Sequence, residues 1–487
     1  AAACTEGAED EVRRIPTADA GTAAVPGPLG EEDVFADALT SHQRHHYVAD
    51  LDEVKRRGVL RVISRNSSTS YFLHRGGEAG FNYELAKLLA DELGVRLQMV
   101  VPRAPRDMVP WLLEGRGDII IGSLPTDGPR AKRVRLTRPY LHSSHVVVTR
   151  RGRWSSPPTV TDIAGLTLLA HPSSSALPRL RQLSRETGLS LQVRAALESL
   201  HDEDLLDEVA AGAIDAAVVQ RRVATVELAH RSDLEVSFEL PTGVVESAFA
   251  VHPESPALWA AADDFLRRHY RGTVFNILYA RYHKKTRRAG DARDAELRAD
   301  TGGALTEWDT HFQQSATTHS LDWRLLVAQA FQESRLDPKA QSPYGAQGLL
   351  QIIPSTAAEL GVKDPFVAEQ SIEGGARYLR KLIDRYVAPD IDLKNSIRFA
   401  LAAYNAGPGH VDDARALAVR EGKDPTRWFG HVEEAMRLLS KPRYYEAARY
   451  GYCRGEEPVR YVSQIQTRYD AYVAMTAAGR QRQDNKR

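Results

Sequence analysis

Glu333 is the residue whose surroundings point most directly to catalysis. The apolar residues from Trp323 to Ser334 recur at helical spacing, which predicts a helix with one apolar face. At about 100° per residue, Glu333 lies beside Leu326 and Ala330 at the rim of that face. A carboxyl group in such a place is partly desolvated, which favours its protonated form and suits a general acid at neutral pH. This segment alone leaves a second interpretation open, a solvated glutamate near a helix end.

The segments around Glu333 carry motifs that decide between these interpretations. They are AQAFQESRLDPKAQSPYGAQGLLQIIPSTAAELG, ARYLRKLIDRY, ALAAYNAGPGHV and the closing RYGYCRGEEPVRYVSQIQTRY. In order and spacing they resemble the family 1 lytic transglycosylases over residues 305–475, which implies a mostly helical fold like that of goose-type lysozyme. Leu350 stands where the family has Met, a change that conserves volume and costs little.

The resemblance also implies roles for seven residues. It makes Glu333 the catalytic acid and base, and Ser334 a neighbour at the substrate that helps to set its environment. The other matching positions are implied to bind the glycan strand: Ser342, Gln351, Tyr404, Asn405 and Tyr461.

A single carboxyl group in these motifs bears on the reaction, because most glycosidases use two. Asp337, just after the predicted helix, is interpreted as turn chemistry. We expect Glu333 to protonate the glycosidic oxygen and then to accept a proton from the C6 hydroxyl, which closes a 1,6-anhydro ring. The expected substrate is the β-1,4 bond between N-acetylmuramic acid and N-acetylglucosamine in peptidoglycan, and no metal or other cofactor is expected.

Two other functions stay open at this point. One is a lysozyme-type hydrolase that uses the same fold and adds water to the same bond. The other is a solute-binding receptor whose C-terminal module only holds peptidoglycan. The intact set of Glu333, Gln351, Tyr404 and Asn405 favours an active enzyme over the receptor.

The region that precedes the helical module alternates strand-like and helical segments from Leu51 to about His283. Val59–Ile63 is rich in β-branched residues, and Tyr83–Gly94 has the pattern of an amphipathic helix that a glycine ends. This alternation predicts an α/β domain with a mostly parallel sheet. We expect a multidomain chain, with this two-lobed domain first and the lysozyme-like helical domain second.

Three segments of this region resemble the family 3 bacterial extracellular solute-binding proteins, in which a small ligand binds between two α/β lobes. They are GVLRVISRNSSTSYFLHRGGEAGFNYELAKLLADELGV, GRGDIIIGSLPTDGPRAKRVRLTRPYL and AGAIDAAVVQRRVA. The resemblance places Arg130 at the ligand carboxylate, for which a planar guanidinium fork is suited, and Tyr71 and Phe72 beside the ligand.

Gln220 stands where amino-acid binders of this family carry an acidic residue. Without that carboxylate, an α-ammonium group has no partner, which disfavours a free amino acid as the ligand. Arg130 and Gln220 together favour a small carboxylate with a blocked or distant amine, such as a stem-peptide fragment of the cell wall, in a sensory role. The alternative is a domain that only spaces the catalytic module from the membrane.

Composition excludes several classes of protein for this chain of 487 residues. Lys plus Arg and Asp plus Glu both total 64, and such a balance argues against nucleic acid as the main partner. No run of 18 or more apolar residues is present, and two cysteines exclude a disulfide framework or a cysteine-based zinc site. The predicted divisions are a disordered tether at 1–46, the binding domain at 47–283, a linker at 284–304, the catalytic domain at 305–477 and a disordered tail at 478–487.

The start of the sequence suggests how the protein reaches its substrate. Three alanines precede Cys4 and Thr5 follows it, which resembles the acceptor cysteine of bacterial lipoproteins sorted to an outer membrane. This interpretation predicts a lipid anchor at Cys4 and a location at the periplasmic face of the outer membrane. An unmodified cysteine in a disordered tail is the alternative.

Overall fold

The computed structural model describes residues 31–40, 46–102, 104–197, 200–229, 231–241, 243–284 and 304–486. Cys4, most of the predicted tether and nearly all of the predicted linker lie outside these residues, and those predictions are unchanged. None of the described helices combines the length and the apolar composition that crossing a membrane requires.

Twelve strands form two five-stranded sheets and one hairpin. They are β1 (Val59–Ile63), β2 (Phe72–His74), β3 (Gly77–Ala79), β4 (Arg96–Val100), β5 (Ile119–Pro125), β6 (Arg135–Ser143), β7 (His145–Arg150), β8 (Thr167–Ala170), β9 (Gln192–Ala195), β10 (Ala216–Gln220), β11 (Leu234–Glu239) and β12 (Val245–Val251). The first lobe has the strand order β4-β1-β5-β12-β6 and the second lobe has β11-β7-β10-β8-β9. The two lobes predicted from the sequence are therefore confirmed.

The prediction of a mostly parallel sheet was wrong, because both sheets are mixed. In the first lobe β1 pairs in parallel with β4 and β5, whereas β12 runs antiparallel to β5 and β6. In the second lobe β8 pairs in parallel with β9 and β10, whereas β7 runs antiparallel to β10 and β11. The reason is the path between the lobes: β6 leads straight into β7 without a helix, and β12 returns from β11 into the middle of the first sheet.

Among the described residues, nine α-helices surround these sheets or precede them. They are α1 (Glu31–Leu39), α2 (Leu51–Arg57), α3 (Phe81–Leu93), α4 (Met108–Leu113), α5 (Ala176–Thr187), α6 (Asp202–Ala210), α7 (Arg221–Leu228), α8 (Pro256–His269) and α9 (Thr273–Tyr279). The predicted helix near Tyr83–Gly94 is confirmed as α3, and Gly94 ends it in the left-handed conformation, with a φ of 70°.

The second domain is helical, as predicted. Its helices are α10 (Asp309–Thr318), α11 (Trp323–Ser334), α12 (Pro354–Leu360), α13 (Ala368–Arg385), α14 (Leu393–Ala406), α15 (Pro408–Arg420), α16 (Glu433–Leu438), α17 (Pro442–Tyr445) and α18 (Glu456–Lys486). A short irregular helical segment, Trp428–Val432, precedes α16 and is kinked at Phe429 and Gly430. The helical backbone of α18 continues through the residues predicted as a disordered tail, so that boundary was wrong.

The tether prediction was also wrong over α1. Phe35 and Leu39 of this helix are buried, and it packs against α14 and α18 of the second domain. The Gln466 side chain donates a hydrogen bond to the carbonyl oxygen of Leu39 at 3.2 Å. Two buried apolar residues give too little pattern for a sequence-based prediction, and contacts with the distant α18 hold the helix in place.

The hairpin of β2 and β3 joins the first lobe to the second domain. The Tyr472 hydroxyl donates a hydrogen bond to the carbonyl oxygen of Gly76 at 2.6 Å. Gly76 has a φ of 69°, and a Cβ there would lie 2.9 Å from both the Leu336 side chain and the Tyr472 hydroxyl. The turn therefore requires glycine, and the first lobe and the second domain share one continuous apolar core.

Candidate active site

Glu333 lies one residue before the end of α11, and the predicted limits of this helix, Trp323 and Ser334, are confirmed. At the first turn the buried carboxylate of Asp322 accepts a hydrogen bond from the Arg324 amide and forms an ion pair with the Arg324 guanidinium at 2.7 Å. Every residue from Trp323 to Ala330 is buried, so the helix is enclosed on more sides than one apolar face would require. Glu333 therefore projects from a rigid core element.

Burial controls the proton affinity of Glu333. Its side chain is half-buried, and burial raises its pKa from 4.5 to about 7, while a hydrogen bond from Tyr461 acts in the opposite direction. No other carboxyl group of the described chain contributes to this shift. A carboxyl group with this pKa can give up a proton and take one back at neutral pH, as general acid–base catalysis requires.

Tyr461, on α18, contacts the catalytic carboxyl directly. Its hydroxyl donates a hydrogen bond to Oε1 of Glu333, and its ring is buried. Burial, together with the charge of Glu333, raises the pKa of Tyr461 well above its ordinary value, so the phenol keeps its proton. Tyr461 is thus a donor that favours the carboxylate form of Glu333.

Ser334 supports the loop in front of Glu333. Its buried hydroxyl lies 3.1 Å from the Ala330 carbonyl oxygen and 2.9 Å from the Leu349 carbonyl oxygen. These contacts are internal to the protein and position the loop, whereas a contact of Ser334 with the glycan stays a prediction.

The loop from Ala340 to Gln351 is held in a strained conformation. Gln351 has a φ of 45°, and its side-chain amide donates to the carbonyl oxygens of Ala340 at 3.0 Å and Gly348 at 2.9 Å. A Cβ on Gly348 would lie 1.8 Å from the Pro365 carbonyl oxygen, so the chain passes there too closely for any side chain. The two hydrogen bonds from the Gln351 amide therefore hold the loop in place. Such support is needed because a strained backbone persists only where its surroundings stabilise it.

Tyr404, on α14, belongs to the same site. Its hydroxyl donates to the Leu350 carbonyl oxygen at 2.8 Å, and its ring lies 5.2 Å from the ring of Tyr378. Burial raises the pKa of Tyr404 well above its ordinary value, and the charge of Glu333 adds to this effect. Glu333, Tyr404 and Tyr461 are therefore brought together as predicted from the motifs.

Ser342 and Asn405 lie farther out. The Ser342 hydroxyl accepts a hydrogen bond from the Ala346 amide at 3.0 Å and closes the turn of the loop. Asn405 is exposed near the end of α14, beside Tyr404 in the chain. Their roles toward the glycan stay predictions.

Two residues of this site were missed by the sequence analysis. Gln329 is fully buried one helical turn before Glu333, and neither polar atom of its side chain has a hydrogen-bond partner among the described residues. Tyr378 packs against Tyr404 from α13. The i, i+4 spacing of Gln329 and Glu333 could have indicated the first, whereas nothing in the local sequence marks the second.

In the first domain, Arg130 lines a cavity of about 810 Å³ at the mouth of the two lobes. The guanidinium of Arg130 donates a hydrogen bond to the Ser173 carbonyl oxygen at 2.6 Å. This contact joins the segment after β5 in the first lobe to the second lobe. Arg179 and Arg185 line the same cavity, together with the carboxylate of Asp127. Arg179 and Asp127 form an ion pair at 2.8 Å, so Arg130 and Arg185 supply the remaining positive charge, which is compatible with the predicted carboxylate anchor.

The other predicted ligand residues do not line this cavity. Tyr71 and Phe72 are core residues: the Tyr71 hydroxyl donates to Glu78 at 2.9 Å, and the Phe72 ring packs edge-on against Tyr282. Gln220 is buried and accepts a hydrogen bond from Arg222 at 2.7 Å. The prediction that both aromatic rings face the same ligand as Arg130 is corrected, because Phe72 begins the hairpin, Tyr71 directly precedes it, and both rings pack into the core shared with the second domain.

A contact between the lobes was not predicted. The Ser68 amide donates to Glu203 Oε1 at 2.9 Å, and the Ser68 hydroxyl lies 2.8 Å from the same oxygen and 3.0 Å from Glu227 Oε1. Carboxylates of the second lobe thus hold a serine-rich loop of the first lobe. Among the described residues, no group of three or more His, Cys, Asp or Glu side chains is arranged to hold a metal ion.

Comparisons with known proteins agree with this division into two domains. The family model of bacterial extracellular solute-binding proteins, family 3, matches residues 60–285, and that of the transglycosylase SLT domain matches residues 310–426. Among solved structures, a mutant of ArgBP from T. maritima is 25% identical and has a TM-score of 0.43, over 48% of this chain and 99% of that one.

Similar curated proteins extend over both domains. A membrane-bound lytic murein transglycosylase F of Pseudomonas fluorescens is 34% identical over 432 residues, which are 88% of this chain and 87% of the relative. One of Stutzerimonas stutzeri is 34% identical over 431 residues, with the same shares of the two chains. With such identity over most of its length and with both domains in place, the chain belongs to the membrane-bound lytic murein transglycosylase F family.

Proposed function

We propose that the chain cleaves the β-1,4 bond between N-acetylmuramic acid and N-acetylglucosamine of peptidoglycan, with Glu333 as acid and base. The observation that carries this proposal is the protonation of Glu333: burial raises its pKa to about 7, and one donor, Tyr461, contacts its carboxyl group. Membership of a family named for lytic murein transglycosylases supports the reaction class.

In the first step, the Glu333 proton moves to the glycosidic oxygen while the bond from that oxygen to C1 breaks. The N-acetyl group of the substrate stabilises the positive charge that develops at C1. In the second step, the Glu333 carboxylate accepts the proton of the C6 hydroxyl, and O6 forms a bond to C1. The sugar ends in a 1,6-anhydro ring, Glu333 regains its proton, and no water is consumed.

Tyr461 and Tyr404 would serve different parts of this cycle. The Tyr461 hydroxyl stabilises the carboxylate that exists between the two steps, since a charge-assisted hydrogen bond is stronger than a neutral one. Tyr404 holds the Leu350 carbonyl group and so fixes the loop that faces Glu333. A half-buried site that excludes part of the solvent also favours ring closure over attack by water.

The hydrolytic alternative predicts a different product from the same bond. Most glycosidases use two carboxyl groups, whereas the motifs around Glu333 supply one. Mass spectrometry of products from purified sacculi separates the reactions, because an anhydro product is lighter than a hydrolysed one by one water molecule. Products with reducing ends only would support the lysozyme reaction and overturn the lyase.

The receptor alternative predicts binding without turnover. Purified full-length chain that retains sacculi but releases no soluble muropeptides would support it. Release of muropeptides by the wild type, and not by the Glu333→Gln variant, would exclude it.

For the first domain we propose a sensory role, with a carboxylate-bearing cell-wall peptide as the ligand. The guanidinium groups of Arg130 and Arg185 support a carboxylate in the cavity of about 810 Å³. Calorimetry with the full chain, titrated with muropeptides and with free amino acids, tests the proposal, and Arg130→Ala is the matched variant. Binding of neither class would favour a spacer, and so would muropeptide binding that Arg130→Ala leaves unchanged and that does not alter turnover.

We also propose that Cys4 carries a lipid that holds the chain at the periplasmic face of the outer membrane. The residues around Cys4 and the family's membrane-bound name support this location. Cell fractionation of wild type and Cys4→Ser is the test. An unmodified Cys4, with both proteins in the soluble periplasmic fraction, would overturn it.

A further inference from the structure

A second cavity, of about 590 Å³, lies where the first lobe meets the catalytic domain. Its volume is in the range of small-molecule sites. The edge strand β4 forms one wall, and α14 and α18 of the catalytic domain form the others. This cavity is distinct from the lobe cavity around Arg130, because the two cavities have no lining residue in common.

The walls of this interdomain cavity carry more positive than negative charge. Its acidic residues are Asp392 and Asp470, and its basic residues are Arg57, Arg61, Arg96, Lys394, Arg398 and Arg427. Some of these charges are already compensated. Arg57 and Arg61 both form ion pairs with Asp118, and Lys394 lies 3.4 Å from Asp392.

Three lining cations, Arg96, Arg398 and Arg427, have no such ion pair among the described residues, and the first two have neutral hydrogen-bond partners. Arg96 lies 3.4 Å from the Ser463 hydroxyl, and Arg398 donates to the Gln466 side-chain oxygen at 3.2 Å. Both partners are neutral, and within the described part of the chain neither guanidinium has a carboxylate at ion-pair distance.

The surroundings of both guanidinium groups are also apolar on one side. They lie 4.3 and 4.6 Å from the centre of the Phe429 ring, at cation–π distance. Arg398 is 7% exposed. Burial lowers the pKa of Arg398 to about 10, while the charges of Asp470, Asp392 and Glu433 act in the opposite direction.

We propose that this interdomain cavity binds a ligand through a dianionic oxyanion group, with Arg96 from the first domain and Arg398 from the catalytic domain as its two guanidinium donors. A guanidinium presents its donors in a planar fork that matches phosphate or carboxylate oxygens. The oxyanion is either a phosphate group or the two carboxylates of one dicarboxylate, since each supplies two negative charges for the two cations. The ligand would join the two domains, because its partners come from both.

The site also lies on the helices that build the active site. α14 carries Arg398 and, six residues later, Tyr404, and α18 carries both Gln466 and Tyr461. An anion that fixes β4 on these helices would stabilise the docked arrangement of the full chain. We therefore expect thermal stability to rise with ligand concentration.

The test measures the Tm and the binding isotherm of the full-length chain with inorganic phosphate and with glutarate, against sodium chloride at equal ionic strength. We expect one of the two dianions to raise the Tm in a saturable manner, and the one that does so identifies the chemistry of the group. Arg96→Gln and Arg398→Gln should each weaken its binding about tenfold or more, the loss of a charge-assisted hydrogen bond. Arg420→Gln, at an exposed position on α15, is the control and should bind as the wild type does.

Two outcomes would overturn the proposal. One is that neither dianion exceeds chloride, and the other is that both variants bind like the wild type. A weakening by Arg185→Gln equal to that of Arg96→Gln would place the anion in the lobe cavity and would equally overturn it. If Arg398→Gln fails to fold, Arg96→Gln at its partly exposed position decides alone.

Discussion

The hydroxyl of Tyr461 donates a hydrogen bond to Oε1 of Glu333, although 128 residues separate the two in the chain. The contact joins the end of α11 to the first turns of α18. Burial and this hydrogen bond act on the pKa of Glu333 in opposite directions, and burial has the larger effect. The position of α18 therefore sets how readily the catalytic carboxyl gives up its proton.

Replacing Tyr461 by Phe should move the pH dependence of the enzyme. Without the hydroxyl the pKa of Glu333 rises further, because the contact that lowers it is gone. The alkaline limb of the activity profile, which follows loss of the Glu333 proton, should shift to higher pH, and the maximal rate should fall about tenfold. Initial rates on purified sacculi between about pH 5 and 9 measure both effects. A lower rate with an unchanged limb would mean that Tyr461 only shapes the site.

Replacing Glu333 by Gln should abolish cleavage and leave the fold intact. The amide has nearly the same shape but cannot deliver a proton, and general acid–base catalysis contributes roughly 10²–10⁴-fold. A zymogram, together with circular dichroism, is the measurement. Glu421→Gln, at an exposed position after α15, is the matched control and should be fully active. Activity of the Glu333 variant above about a tenth of wild type would remove Glu333 from its catalytic role.

Local spacing was enough to predict the limits of α11 and the place of Glu333 at the rim of its apolar face. The contact with Tyr461 could be anticipated only through the family motifs, since no local pattern brings α18 to Glu333. Tyr71 and Phe72 were misplaced because the contacts of the β2–β3 hairpin with the catalytic domain decide where their rings pack. The mixed sheets depend likewise on how the chain crosses between the lobes, which strand propensity does not encode.

Two glycines of the active-site loop offer a matched pair of substitutions. Gly345 and Gly348 have φ values of 83° and 76°, so alanine at either costs about 1–2 kcal/mol in the left-handed conformation. At Gly345 a Cβ meets no atom within 4 Å, whereas at Gly348 it would lie 1.8 Å from the Pro365 carbonyl oxygen. Gly348→Ala should therefore lose most activity, because the loop that carries Gln351 must move, and Gly345→Ala should keep it. Equal turnover of the two variants on sacculi would contradict this account of the loop.

The first helix should contribute to the stability of the whole chain. Phe35 is 5% exposed against the catalytic domain, whereas its neighbour Val34 is 44% exposed. Phe35→Ala should lower the free energy of unfolding by about 3–5 kcal/mol, the usual cost of truncating a buried ring, and Val34→Ala by less than about 0.5 kcal/mol. Urea unfolding of the two variants is the measurement. Equal midpoints would restore the interpretation of these residues as part of a tether.

The raised pKa of Glu333 should also appear as a cost in stability. Below pH 4.5 the carboxyl is protonated in both the folded and the unfolded chain, whereas between 4.5 and about 7 only the unfolded chain loses the proton. The folded state therefore loses stability as pH rises through this window, by about 2–3 kcal/mol once the pH exceeds the folded pKa. Glu333→Gln removes the titration, so it should match wild type in Tm at acid pH and exceed it at alkaline pH. Glu421→Gln controls for the loss of one negative charge, and a Tm difference for Glu333→Gln that stays the same at both pH values would show that burial does not hold the Glu333 proton.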